Sequence, residues 1–355
     1  MRRKRNSKTP WPRYTGLPGC ACRKSPAVPE SNPFRQWIRL EQPRLGTRVV
    51  YATDDFFAAK ERLIEPAEPA FVPDKYDDHG KWMDGWESRR RREPGHDYCV
   101  IKLGVSGILH GVEIDTRHFT GNFPPQASLE GCQCTEDIPQ EDQQWHELLP
   151  RTTLQGDTQH FVPIAPDEAV THLRFHIYPD GGVARLRLFG EVCVDPAAFD
   201  DSEIDLLALA CGGRAVACSD EHYGSMHNLV FPGRGINMGD GWETARRRDG
   251  GNDWVILALG CRGTVNRIEV DTAHFKGNYP DRVAIDAICV EAQPDPSDLA
   301  RADVTWQALL PETKIQADSR HHFDQLQQCG AVTHVRMRII PDGGVSRLRL
   351  YGRRA

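Results

Sequence analysis

What most constrains this chain is that it carries the same segment twice. Asp84-Gly85-Trp86-Glu87 returns as Asp240-Gly241-Trp242-Glu243. At the same offset Asp115-Thr116-Arg117-His118-Phe119-Thr120-Gly121-Asn122 returns as Asp271-Thr272-Ala273-His274-Phe275-Lys276-Gly277-Asn278. Trp145 with Leu148-Leu149-Pro150 recurs as Trp306 with Leu309-Leu310-Pro311, and Pro179-Asp180-Gly181-Gly182-Val183 as Pro341-Asp342-Gly343-Gly344-Val345. Motif order is preserved in both copies, and the period is far too long for a solenoid, so each copy should be a domain. The boundaries read as a leader at 1–33, a first repeat at 34–193, a linker at 194–213 and a second repeat at 214–355.

Within a copy the short-range pattern is β. Val335 to Ile339 alternates apolar and basic residues, Pro341-Asp342-Gly343-Gly344 is a turn signal, and Val345 to Tyr351 alternates again. That predicts a hairpin with one wet face. Trp254 to Leu259 reads as a more buried strand that turns at Gly260–Gly263 into Ile268–Val270, running back the other way. The loop after Val270 should then lie at the same end of the domain as the Asp240 loop. Frequent glycines and the lack of a long amphipathic helix predict an all-β chain of two tandem jelly-roll β-sandwich modules. Short helical turns are expected near Asp54–Ile64, Asp201–Ala210 and Ser297–Ala302.

Charge narrows the partners. Eight of the 44 basic side chains and none of the 50 acidic ones lie in residues 1–29, so the rest of the chain is more acidic than its net charge of −6. An acidic body is a poor partner for phosphate backbones, so no nucleic acid is expected, and no apolar run approaches the length of a membrane span. The basic leader lacks the apolar core of a secretory signal and reads as a solvated tail; its Ser, Arg and missing acids also suit a transit peptide or an overlong start. The 11 cysteines show neither paired C-x-x-C spacing nor His partners, which predicts reduced thiols in a cytoplasmic protein.

The densest polar motif is Asp-Thr-x-His-Phe-x-Gly-Asn. Its histidine could move protons near neutral pH, and its asparagine offers both a donor and an acceptor to an amide edge. A structural corner, with Asp and Asn bonded to backbone, is the bland reading of the same residues. Asp-Gly-Trp-Glu followed by arginines places acids beside cations; equally, it could be a tight turn whose tryptophan plugs the core and whose arginines are solvated. Arg185, Arg187, Arg347 and Arg349 alternate with leucines, and Glu113 and Glu269 are their expected partners.

These motifs resemble those of allantoicases. The likeness rests on Asp220-Glu221-His222-Tyr223, Phe231-Pro232-Gly233-Arg234-Gly235, Gly239 to Arg247, Asp253-Trp254 and Val270 to Asn278, and in the first copy on Asp54-Asp55-Phe56-Phe57, Lys81 to Glu87 and Glu113-Ile114-Asp115. It runs from about Gly46 to Gly352. The resemblance implies galactose-binding-like jelly rolls, a homo-oligomer, and hydrolysis of allantoate to ureidoglycolate and urea in purine degradation. Expelling urea needs a proton for the departing nitrogen and a base for water. His274 fits proton transfer, Glu243 or Asp240 the base, Asn278 the ureido contact, and Arg246 or Arg247 the carboxylate. The first-copy counterparts are His118, Glu87 or Asp84, Asn122, and Arg90 or Arg91. Asp271, Lys276 and Asp115 join the candidate substrate contacts. No cofactor is required by the sequence, and a divalent metal stays open. The rival is a non-catalytic β-sandwich module that binds a carbohydrate or another small polar ligand.

Overall fold

In each repeat one long strand organises the sandwich, Asp97–Asp115 in the first and Asp253–Asp271 in the second, each of 19 residues. A computed structural model describes residues 32–194, 202–291 and 295–355, so nearly all of the expected leader lies outside the described residues. In the second repeat, Val332–Ile340 pairs antiparallel with the first half of the long strand, Ile339 facing Asp253. Arg347–Arg354 pairs antiparallel with the second half, Arg347 facing Asp271. Only the turn 341–346 separates those two partners, so both ends of the long strand lie at one end of the domain. Its halves therefore run in opposite directions. The reversal falls between Ala258 and Gly263, where the register slips.

The long strand thus belongs to both layers. Arg282–Ile288, Gln307–Lys314 and Arg214–Cys218 extend the layer built on Val332–Ile340. Ile204–Asp205 and Arg320–Phe323 extend the layer built on Arg347–Arg354. The first repeat repeats this order strand for strand, giving two eight-stranded assemblies, as the jelly-roll expectation requires. Between the layers lie fully buried side chains such as Ile101, Leu129, Phe175 and Leu186, matched by Leu257, Ile285, Met337 and Leu348. Helix is confined to short turns such as Lys60–Ile64, Leu209–Cys211 and Pro296–Leu299.

Two expectations change. Val332–Ile340 and Arg347–Arg354 are not a hairpin: each pairs with the long strand and with a different outer strand, and the Pro-Asp-Gly-Gly turn arches from one layer to the other. Alternation identifies a half-buried strand but not its neighbour. The stretch 194–213 is also not purely a linker, because Ile204 and Asp205 pair with Gly352 and Tyr351 and so belong to the second sandwich.

The repeats touch through the opening segment of the first and the loop 226–240 of the second. The Arg44 guanidinium pairs with the Asp240 carboxylate and lies 4.9 Å from the centroid of the Phe231 ring. Nearby, His227 Nε2 donates to the Arg35 carbonyl at 2.7 Å.

Candidate functional site

The Asp-Gly-Trp-Glu segments form two-residue strands. Trp86–Glu87 pairs with Gly182–Val183, and Trp242–Glu243 with Gly344–Val345. Alternation along a strand sends one side chain in and the next out. Trp86 and Trp242 are fully buried, and their indole N–H groups donate to the carbonyls of Asp54 and Asp220, each at 2.9 Å. Glu87 and Glu243 therefore point away from the core. The preceding glycines allow close packing: a Cβ on Gly85 would lie 2.4 Å from the Val183 carbonyl, and one on Gly241 2.7 Å from the Phe275 ring. Phe119 and Phe275, from the His-Phe motif, are fully buried against these turns. The two motifs recur together because each packs into the other.

That packing delivers an acid–amide pair. The Asn122 amide donates to Glu87 Oε1 at 2.6 Å, and Asn278 makes the same bond to Glu243. Each pair lines a hollow, of about 560 Å³ in the first repeat and about 530 Å³ in the second. Arg90 and Phe57 stand beside Glu87, Arg246 and Tyr223 beside Glu243. Arg90 and Arg246 are exposed and pair with no carboxylate among the described residues. Burial pushes the Glu87 carboxyl above the usual carboxylate range, against the lowering effect of the Asn122 hydrogen bond. A half-buried carboxyl, an amide and an unpaired guanidinium around one hollow can exchange a proton, hold a ureido edge and bind a carboxylate.

The allantoicase repeat family matches residues 38–193 and 204–355. A probable allantoicase of Burkholderia mallei is 51% identical over 92% of this chain and 98% of its own. One from Pseudomonas syringae pv. tomato is 52% identical over 90% of this chain and 97% of its own. The crystal structure of allantoicase from Saccharomyces cerevisiae, 37% identical, superposes with a TM-score of 0.74 over 89% of this chain and 92% of that one. The chain belongs to the allantoicase family. Membership in a family of hydrolases displaces the reading as a non-catalytic binding module.

Several of the candidate site residues lie away from the two hollows or are bound to other partners. Asp84 sits beneath the turn, where Arg185 Nη2 donates to its Oδ2 at 2.8 Å and the Ala70 amide to the same oxygen at 2.8 Å. Burial alone would raise its carboxyl, but Arg185 and Ala70 outweigh burial and hold it low. Asp240 is placed the same way, with Arg347 Nη2 at 2.8 Å and Arg44 as a second cation; these outweigh burial there too. Neither aspartate lines a hollow, so of the acids in the Asp-Gly-Trp-Glu motifs only Glu87 and Glu243 do. Arg91 and Arg247 border the hollows, but their guanidinium groups are bound to buried Asp97 and Asp253, at 2.8 and 2.7 Å. Asp115 is taken by Arg117, and Asp271 by Arg234 and Arg320, so both are buried beneath the site. Lys276 is exposed and outside the lining of the second hollow.

The histidines are held as corner residues. His118 and His274 adopt left-handed backbone, φ 72° and 71°, and their amides donate to Asp157 and Asp318. Their Nε2 atoms lie 3.2 Å from the Pro69 carbonyl and 2.7 Å from the Gly235 carbonyl. A carbonyl only accepts, so each Nε2 carries the proton and only Nδ1 is left to exchange one. The arginines of the closing strands also find other partners than expected. Arg185 and Arg347 bind Asp84 and Asp240, while Arg187 and Arg349 approach Glu41 and Asp205 at 3.8 and 3.6 Å. Phe57 and Tyr223 entered the sequence reading only as the last residues of Asp54–Phe57 and Asp220–Tyr223, two segments that carry the resemblance, with no role of their own. Asp180 and Asp342 accept the amides of Arg91 and Arg247 at 2.9 and 2.8 Å, and their sequence signal was a plain turn motif. Among the described residues no group of three or more His, Cys, Asp or Glu side chains is placed to hold a metal ion.

Proposed function

We propose that the two hollows are allantoate sites in which Glu87 and Glu243 carry the proton transfers. The activity follows from the family: the chain hydrolyses allantoate to ureidoglycolate and urea in purine degradation. Allantoate bears a carboxylate and two ureido groups on one carbon. In our reading Arg90 or Arg246 holds the carboxylate, and Asn122 or Asn278 a ureido edge. The glutamate takes a proton from water as its oxygen bonds to the central carbon, the bond from that carbon to one ureido nitrogen breaks, and the same glutamate returns the proton to that nitrogen. Urea leaves and the hydroxyl stays on ureidoglycolate. In the first hollow the raised pKa of Glu87 suits both halves of this exchange. The observation that carries the reading is the Asn–Glu hydrogen bond beside an unpaired arginine, present in both repeats. Urea release from allantoate by the purified protein, wild type against Glu87→Gln, Glu243→Gln and the double variant, tests it. A double variant that turns over at the wild-type rate sinks it.

We also place the enzyme in the cytoplasm as a homo-oligomer acting on a small molecule, with neither nucleic acid nor membrane as partner. Every described cysteine is a free thiol, in keeping with a reducing compartment. No helix among the described residues is long and apolar enough to cross a membrane. Sedimentation of the purified chain tests the assembly, and activity after exhaustive chelation tests for a divalent metal.

A further inference from the structure

The repeats differ most in the segment leading into Asp-Gly-Trp-Glu. The second repeat passes from Val230 to Asp240 through Phe231-Pro232-Gly233-Arg234-Gly235-Ile236-Asn237-Met238-Gly239. The first takes a longer path from Ile64 to Asp84 and folds part of it into an antiparallel ribbon, Tyr76–Asp77 against Gly80–Lys81. The ribbon is tied down on several sides. The Trp82 amide donates to the Lys75 carbonyl at 3.0 Å, and Lys75 Nζ lies 3.6 Å from the centroid of the Trp82 ring. Within the turn the His79 amide donates to Asp77 Oδ1 at 2.9 Å, and the His79 ring meets Phe56 edge-on at 4.4 Å.

The ribbon borders a second, open lobe of about 480 Å³, lined in part by His79, Lys81, Met83, His118 and Thr120. Phe57, Glu87, Gly121 and Asn122 line this lobe and the first one alike, so the Asn–Glu pair stands where the two lobes meet. Arg90 flanks the pair on one side and Lys81 on the other. Lys81 pairs with no carboxylate among the described residues; its Nζ lies 4.6 Å from the centroid of the Phe71 ring. The only carboxylates lining either lobe are Glu87 and Asp180, and Asp180 already accepts the Arg91 amide.

The second hollow has a different balance. Met238 lies against Asn278, its Sδ 3.8 Å from the amide nitrogen. The cation of its shorter approach segment, Arg234, is committed to buried Asp271 at 3.0 Å. The lining also includes an additional carboxylate, Asp281, where the first repeat has Pro125.

We propose that Lys81 is a substrate-binding residue found in the first hollow alone, so that two cations, Lys81 and Arg90, receive the carboxylate of a ureido acid there and one, Arg246, receives it in the second. The two hollows then bind one class of ligand with unequal affinity, the first more tightly. This rests on the reading of the hollows as ureido-acid sites. A charge-assisted hydrogen bond to a bound carboxylate is worth roughly tenfold in affinity where the bound ligand shields it from water.

The test is calorimetric titration with ureidoacetate, a mono-ureido carboxylate with no second ureido group to expel, and with its neutral amide. The wild type should show two classes of site for the acid, about tenfold or more apart, and a single class for the amide. Lys81→Met should convert the tight class to the weak one and raise KM for allantoate more than it lowers kcat. Lys81→Arg, which keeps the cation on the ribbon, should retain both classes and so separates lost charge from a disturbed fold. Identical isotherms for wild type and Lys81→Met overturn the proposal, as do two unequal classes for the neutral amide. Failure of the underlying reading looks different: Glu87→Gln and Glu243→Gln together would leave urea release intact, whatever Lys81→Met does.

Discussion

Beneath each hollow the equivalent aspartate, half-buried in the first repeat and buried in the second, bonds to a different number of cations. In the first repeat Asp84 takes Arg185 and the Ala70 amide; in the second Asp240 takes Arg347 together with Arg44 from the other repeat. Above them the contrast reverses, since the first hollow has the ribbon with Lys81 and the second has Met238. The motifs on which the fold depends were copied faithfully, while the segment between Ile64 and Asp84 diverged in length from the one between Val230 and Asp240. Such loops change at small cost because their backbone is exposed and the sandwich does not rest on them. Within this duplication identity marks the scaffold and the shared Asn–Glu pair, and difference marks where, on our proposal, the two sites have been tuned.

The sharpest break in the symmetry would come from the glutamates. Glu87→Gln with Glu243→Gln should lower urea release on the order of 10²- to 10⁴-fold, the range for losing a general acid or base. The two single variants divide that activity between the repeats, and equal residual rates would mean that the hollows contribute alike. Next come the buried arginines. Arg185→Met leaves the half-buried Asp84 with the Ala70 amide and the field of Arg62, and should cost about 2 kcal/mol in chemical denaturation, below the scale for orphaning a fully buried charge. Arg347→Met leaves Asp240 its Arg44 partner and should cost less; equal losses would show that the contact between repeats adds nothing.

A smaller effect is expected at the corner histidines. With Nε2 bound to a carbonyl, His274→Ala and His118→Ala should each lower stability by about 1 kcal/mol, the net worth of a hydrogen bond. They should reduce urea release less than tenfold. A fall of 10²-fold without loss of stability would return the proton-transfer role to them. The smallest effect concerns pH. On the outer face of the first repeat Glu130 is held by Arg174 and by His176, whose Nδ1 meets His96 Nε2 at 2.9 Å. In the second repeat Asp286 is held by Arg336 and Arg338. Burial lowers the pKa of His176 despite the attraction of Glu130, and burial also lowers that of His96. A base whose folded pKa lies below its unfolded value resists protonation only when folded. The stability it permits is therefore complete above the unfolded value of about 6.5 and falls as pH drops below it. His176→Arg, which copies Arg338, should make melting temperature less sensitive to acid between pH 7 and 5. An unchanged slope would remove this contrast.

The duplication was legible because composite motifs recur in order, and period-two alternation was enough to name a β-sandwich. Which strands pair was not legible. The residues around Val335 and Leu348 show the same alternation whether they face each other or, as here, the two halves of Asp253–Asp271. Nor could alternation predict that Glu41 and Asp205 would take up Arg187 and Arg349. Each of those acids also accepts a backbone amide of the closing strand, from Leu188 and Leu350, a fit that depends on the paired edge. Glu87, Glu243, Asn122 and Asn278 could be read as site residues because both copies kept them. Lys81 stood in the resemblance but was given no role, for the opposite reason: a search for what repeats passes over what occurs once.

The Arg44–Asp240 contact has a consequence for how such a chain can change. One copy supplies the counterion for the acid under the other copy's hollow, so the halves have become dependents. A gene cut at the join would yield a second half whose turn had lost one of its two cations, even though every motif in it was intact. Descendants of this chain can lengthen, shorten or retire either hollow, but a second copy inherited alone would do without the Arg44 counterion.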